Sequence, residues 1–107
     1  MDGNDIQAIL ADLKQRLQAE FGAEMSRLLV YGSVARGENR ADSDIDVMVV
    51  FRESGDMHAL WDRVLDVASD VSYDYDTFIT ALVTTEEELA TRANPLFMNI
   101  RREAVAV

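Results

Sequence analysis

Apolar positions recur along the chain with two different periods. From Asp5 to Phe21, residues Ile6, Ile9, Leu10, Leu13, Leu17 and Phe21 follow at three- and four-residue steps. That spacing predicts an amphipathic helix, with Asn4 or Asp5 able to cap its start and Gly22 able to end it. Two short runs rich in β-formers come next, Ser26 to Tyr31 and Ile45 to Phe51, and both read as buried strands. Ala35-Arg36 can begin a short helix between them, and the polar stretch from Glu38 to Asp42 predicts an exposed, mobile excursion. Ser54-Gly55-Asp56 makes a turn and a cap for a second long helix, Met57 to about Val71. Its buried stripe is Met57, Leu60, Trp61, Val64, Leu65, Ala68 and Val71. Trp61 lies on that stripe and reads as a core or subunit-contact residue, whereas His58 reads as a solvated helix position. A polar, acidic segment, Ser72 to Asp76, precedes a third strand over Thr77 to Thr84. Thr84 or Thr85 with Glu87 or Glu88 then forms a capping box for a helix from about Glu86 to Arg92. Asn94-Pro95 breaks that helix, and Leu96 to Arg102 predicts a last short one. The order α-β-(short α)-β-α-β-α implies an α/β fold, a sheet with helices packed on it.

Composition narrows the class. With 107 residues the chain reads as one domain, residues 1–107, able to bury a single modest core. No apolar run approaches the length of a membrane span, there is no secretory signal pattern, and there is no cysteine. A cytoplasmic protein without membrane contact is the expectation. The formal charge of −10, with one lysine against nine arginines, leaves no electrostatic footprint for direct binding of duplex nucleic acid. It suits a basic protein partner, and it also serves solubility.

The candidate chemistry lies in Tyr31–Phe51, YGSVARGENRADSDIDVMVVF. One apolar run stops at Gly32-Ser33, and Asp44-Ile45-Asp46 leads into the next. Alternate side chains of a strand share a face, so Asp44 and Asp46 point the same way about 7 Å apart. Two carboxylates that close repel unless a cation sits between them. Mg²⁺ suits the pair, because it combines one or two carboxylates with substrate phosphates. Gly32-Ser33 offers bare backbone and a hydroxyl to such phosphates. The stretch reads as a metal-and-phosphate site.

The pattern GSxARG, a short polar loop, then SDxD before an apolar strand resembles the nucleotidyltransferases of the DNA polymerase beta superfamily. It is carried by Gly32-Ser33, Ala35-Arg36-Gly37, Ser43-Asp44 and Asp46. The tail, Asn94-Pro95-Leu96-Phe97 with Asn99-Ile100-Arg101-Arg102-Glu103, is similar to tails of the minimal nucleotidyltransferases, many of them antitoxins paired with HEPN-type RNase toxins. The resemblance implies a polymerase-beta-like fold with a small mixed β-sheet. It implies that Asp44 and Asp46 are catalytic and hold Mg²⁺ or Mn²⁺, and that Gly32 and Ser33 bind the triphosphate of an NTP, ATP above all. Arg36 either contacts phosphate or pairs with Glu38 or Asp42. Relatives carry a third acid inside the third strand, in a Val-Asp-Leu-Val-like context; laid on Ile79-Thr80-Ala81-Leu82, that context puts Thr80 at the acid's position. Asp76 has the parity of Thr80 but lies about 13 Å earlier along an extended strand, and Asp74 is farther still.

Two functions follow from the resemblance. One is transfer of AMP from ATP to a hydroxyl, on a HEPN-like partner, by the antitoxin of a toxin–antitoxin pair. The other is a catalytically degenerate module that neutralises or scaffolds a partner by contact alone. A small acidic domain with a long apolar helix stripe and few basic residues is also expected to work in a complex, as a homo- or hetero-oligomer.

Overall fold

The computed structural model describes residues 3–38 and 44–107. The polar excursion expected after Glu38, with Asp42 and Ser43, falls outside them. The first helix, α1, runs Gly3–Phe21, so Asn4 and Asp5 lie within its first turn and not before it. Gly22 takes φ +57° and opens a single 3-10 turn, Gly22–Glu24, that redirects the chain into strand β1, Met25–Tyr31. A left-handed φ of this kind is costly for any residue with a Cβ, which is why glycine ends the helix.

Helix α2 spans Gly32–Ala35 and strand β2 spans Ile45–Phe51. Asp56 caps helix α3, Met57–Tyr75, by accepting the Ala59 N–H at 3.2 Å. This helix is a turn longer than its apolar stripe predicts. Ser72 is still helical, its hydroxyl donating to the Ala68 carbonyl at 2.7 Å, and Asp76, at φ 50° and ψ 52°, ends the helix. The chain reverses there, and strand β3 starts at Ile79, not Thr77, and runs to Thr85. Leu65, placed on the buried stripe by the sequence, is 43% exposed. The stripe centres on Leu60, Val64, Ala68 and Val71, and Leu65 lies one step round the helix from it.

Thr85 caps helix α4, Glu86–Thr91, by accepting the Glu88 N–H. The reciprocal half of the box is not made, since the Glu88 carboxylate takes Thr84 Oγ1 and Arg92 instead. Asn94 caps helix α5, Pro95–Glu103, with proline in the first turn where its missing N–H costs nothing. A two-residue strand β4, Val105–Ala106, then pairs with Leu29 and Val30. It is too short to have a period and was not expected.

The sheet order is β3-β2-β1-β4, with β1 antiparallel to both β2 and β4, and β2 parallel to β3. The expected mixed α/β sheet is thus present. Its two faces are separated by strand alternation. Ile45, Val47, Val49 and Phe51 join α1 and α3 in the larger core, which also holds Leu13, Leu17 and Val64. Met48 and Val50 face the other way, into a smaller cluster with Leu29, Leu89, Phe97 and Ile100 from α4 and α5. Trp61 is half-buried against the larger core. Because β1 runs against β2 and β3, the end of β1 and the starts of β2 and β3 meet at one rim of the sheet.

Candidate active site

That rim gathers the residues singled out in the sequence. Asp46, on the strand face opposite the larger core, sits second in β2 and is half-buried; Asp44 precedes the strand and is exposed. Burial raises the Asp46 pKa above its ordinary 3.8, and the Asp44 charge raises it further. A carboxylate held in this way lacks a counter-charge among the described residues, and two oxygen donors of this kind fit a hard divalent cation. No group of three acidic, imidazole or thiol side chains converges as a metal site among the described residues.

Helix α2 starts at Gly32 itself, earlier than the Ala35-Arg36 start expected. The backbone at Gly32 has φ +71°, and a Cβ placed there would stand 2.6 Å from Asp46 Oδ2. Glycine therefore lets the turn lie against the acid without displacing its carboxylate. Tyr31, which precedes the helix, provides no side-chain cap for its first amides. Ser33 is half-buried in that first turn. The turn closes through Arg36 N–H to the Gly32 carbonyl and Glu38 N–H to the Ser33 carbonyl at 2.8 Å.

Arg36 does not face the acids as a free cation. Its guanidinium donates to Glu38 at 3.0 Å and to Glu103, at the end of α5, at 3.3 Å. It ties the glycine-serine turn to the last helix, so the tail noted in the sequence reaches the rim. The pairing with Glu38 is one of the partners the sequence offered; Asp42, the other, lies outside the described residues.

In the parallel ladder Asp46 pairs with Thr80. Asp76 is the left-handed cap of α3, exposed and outside the strand, so strand parity does not apply to it. Asp74 is bound to Arg16 of α1 at 2.7 Å. The strand position beside Asp46 is therefore a threonine.

Two rim residues were not foreseen. Tyr31 pairs with Asp46 across the antiparallel ladder, and burial together with the Asp46 charge pushes its phenol up to about 12. Phe78, whose carbonyl accepts the Ile45 N–H at 2.9 Å, stands immediately before β3 with 77% of its surface exposed. Register alone places both, and register is not written in either strand by itself.

A domain with a glycine-serine turn packed against an Asp-x-Asp strand entry on a mixed sheet has clear relatives. Residues 9–94 match the nucleotidyltransferase domain, and the chain belongs to that family. A protein of Methanocaldococcus jannaschii provisionally named a protein adenylyltransferase is 30% identical over 78 residues, 73% of this chain and 72% of that protein. A solved structure described as a minimal nucleotidyltransferase by provisional assignment superposes with a TM-score of 0.68 at 28% identity, covering 100% of this chain and 97% of that one. The fold is also shared, at a TM-score of 0.54 and 13% identity over 92% of this chain and 70% of that one, with a solved complex. That complex holds a tri-AMPylated Shewanella oneidensis HEPN toxin and an MNT antitoxin. No helix among the described residues is long and apolar enough to cross a membrane.

Proposed function

We propose that this nucleotidyltransferase moves AMP from ATP onto a hydroxyl of a HEPN-type partner protein and acts as the antitoxin of that pair. The observation that carries the reading is the contact between the two halves of the motif. The Gly32 backbone lies so close to Asp46 that any side chain at residue 32 would push the Asp46 carboxylate out of place. A triphosphate lying on the Gly32-Ser33 turn thus has its α-phosphate end beside Asp44 and Asp46.

In this reading Asp44 and Asp46 hold divalent metal, Mg²⁺ or Mn²⁺. When bound, the metal neutralises the triphosphate and the leaving pyrophosphate. The turn amides and Ser33 hold the β- and γ-phosphates, and Arg36, through Glu103, keeps that turn docked on α5. The acceptor hydroxyl gives up its proton to solvent as its oxygen bonds to the α-phosphorus, the bond to the bridging oxygen breaks, and pyrophosphate leaves. A basic partner surface complements the net charge of −10. The AMPylated toxin complex and the adenylyltransferase relative support the choice of AMP and of a protein acceptor.

Thr80 beside Asp46 favours a second reading, a module that binds its partner but transfers nothing. Labelled ATP separates the two. Incubation with Mg²⁺ and a co-expressed HEPN-type protein should label that protein, and EDTA or Asp44→Asn should abolish the label. A stable complex without label, in Mg²⁺ and in Mn²⁺, would establish the binding module instead.

A further inference from the structure

The sheet has an edge that its own chain does not pair. Strand β3 is last in the order, and among the described residues no strand joins its outer side. Its seven residues, Ile79–Thr85, carry no charge, no proline and no bulge, the usual guards of a free edge. We propose that two copies of this chain pair there, β3 against β3, about a two-fold axis at Leu82. The two sheets then form one continuous sheet. This interface does not depend on the nucleotidyl-transfer reading above.

Hydrogen bonding sets the register. The Phe78 carbonyl accepts the Ile45 N–H, so the parallel ladder turns the backbone groups of Thr80, Leu82 and Thr84 towards β2. Those of Ile79, Ala81, Val83 and Thr85 then point outward. The Ile79 N–H donates to Ser72 Oγ at 3.2 Å, and Thr85 is the cap of α4. The outward groups left for a neighbour are those of Ala81 and Val83, which flank Leu82 symmetrically. An antiparallel copy centred on Leu82 sets Ala81 opposite Val83 and Val83 opposite Ala81, and every one of those groups is paired. Leu82 faces its own copy as a non-hydrogen-bonded pair, the kind whose side chains lie closer. Such a patch, matched to itself about one axis, is what a two-fold dimer requires.

Both sides of this edge are apolar. A groove of about 370 Å³ runs along it and draws residues from the two sheet faces, Trp61 with Met57 on one and Leu82 with Phe97 on the other. A groove that wraps a strand edge in this way fits a further strand, whose side chains alternate between the faces. Trp61 lines the groove and Ser72 reaches Ile79, so the flank of α3 between them overhangs the edge. Leu65, one turn beyond Trp61 on that flank, is 43% exposed. The two-fold brings the same flank of the second copy against it. Charge favours a second copy over a foreign strand. A chain of net charge −10 suits a basic partner, yet β3 carries no carboxylate, and Glu88 at the groove's border is paired with Arg92 at 3.4 Å. Because the pairing is antiparallel, the two rims that carry Asp44 and Asp46 lie at opposite ends of the shared strands.

Light scattering over a dilution series should give a reversible dimer, twice the 12.0 kDa of one chain. Leu65→Lys should weaken it about tenfold or more, and Val105→Lys, at the β4 edge, should leave it unchanged. Both positions are exposed, and thermal melts should show both variants folded. Crosslinking reads the register, because the chain has no cysteine of its own. Leu82→Cys should form an interchain disulfide under mild oxidation. Thr80→Cys should not, since its two copies would stand about 13 Å apart along the strands. Leu65→Lys decides alone if Leu82→Cys does not fold. A monomer at every concentration would overturn the proposal and leave β3 to a strand of another protein. A dimer that survives Leu65→Lys would also overturn it, and loss in Val105→Lys instead would put the interface at β4. Crosslinking through Thr80→Cys and not through Leu82→Cys would refute the axis at Leu82.

Discussion

Replacing Gly32 by alanine tests whether the turn and the acid form one site. Two costs can be separated. The first is backbone strain, because a residue with a Cβ at φ +71° loses roughly 1–2 kcal/mol. For a chain of this size that corresponds to a drop in Tm of about 5–15 °C. The second is steric: the new Cβ meets Asp46 Oδ2 at 2.6 Å and Asp46 Cγ at 3.5 Å. The obstructing atom is the tip of a side chain, so the fold survives by turning the carboxylate away. The damage then falls on the site. Gly22→Ala is the matched control, since Gly22 has φ +57° and nothing within 4 Å of an added Cβ. Both variants should lose similar stability in thermal melts. Only Gly32→Ala should also lose affinity for ATP in Mg²⁺, by about tenfold or more, more than 1.4 kcal/mol of binding. Equal loss of ATP affinity in the two variants, or full retention in Gly32→Ala, would refute the reading.

Asp46→Asn should make the metal-free protein more stable at pH 7 while removing metal-dependent ATP binding. The Asp46 pKa is raised in the folded state, first by burial and then by Asp44. Its contribution to stability is therefore full below the unfolded value and is lost as pH rises through the folded one. The variant's advantage should shrink as pH falls towards 3.8, and an advantage independent of pH in melts from pH 3 to 7 would contradict the cause. Thr80→Asp should tighten Mg²⁺ binding and increase AMP transfer, because it adds an acid beside Asp46 on an exposed position. Without metal it should cost less than about 1 kcal/mol in cross-strand repulsion. Asp76→Asn should change neither metal binding nor stability, since asparagine tolerates the left-handed cap. Loss of labelled transfer in Asp76→Asn would make Asp76 the third acid.

The elements with a strong internal period were legible in the chain alone. The α1 stripe from Ile6 to Phe21, the β2 run from Ile45 to Phe51 and the stripe of α3 each bury a face dictated by spacing. The glycine-serine turn and the Asp-x-Asp pair were legible too, because each combines unusual local residues over a short span. Tertiary structure alone decided what depends on pairing. The β1–β2 register brings Tyr31 to Asp46, and the β2–β3 register sets Thr80 there as well. The Arg36–Glu103 tie joins residues 67 positions apart. The true start of β3 followed from where Asp76 could end α3, and β4 exists only because β1 offered it an open edge. Spacing along one segment determines which face is buried, because that face is set by the geometry of the segment itself. Which residues then meet at the rim is set by hydrogen-bond ladders between segments, and no single segment encodes them.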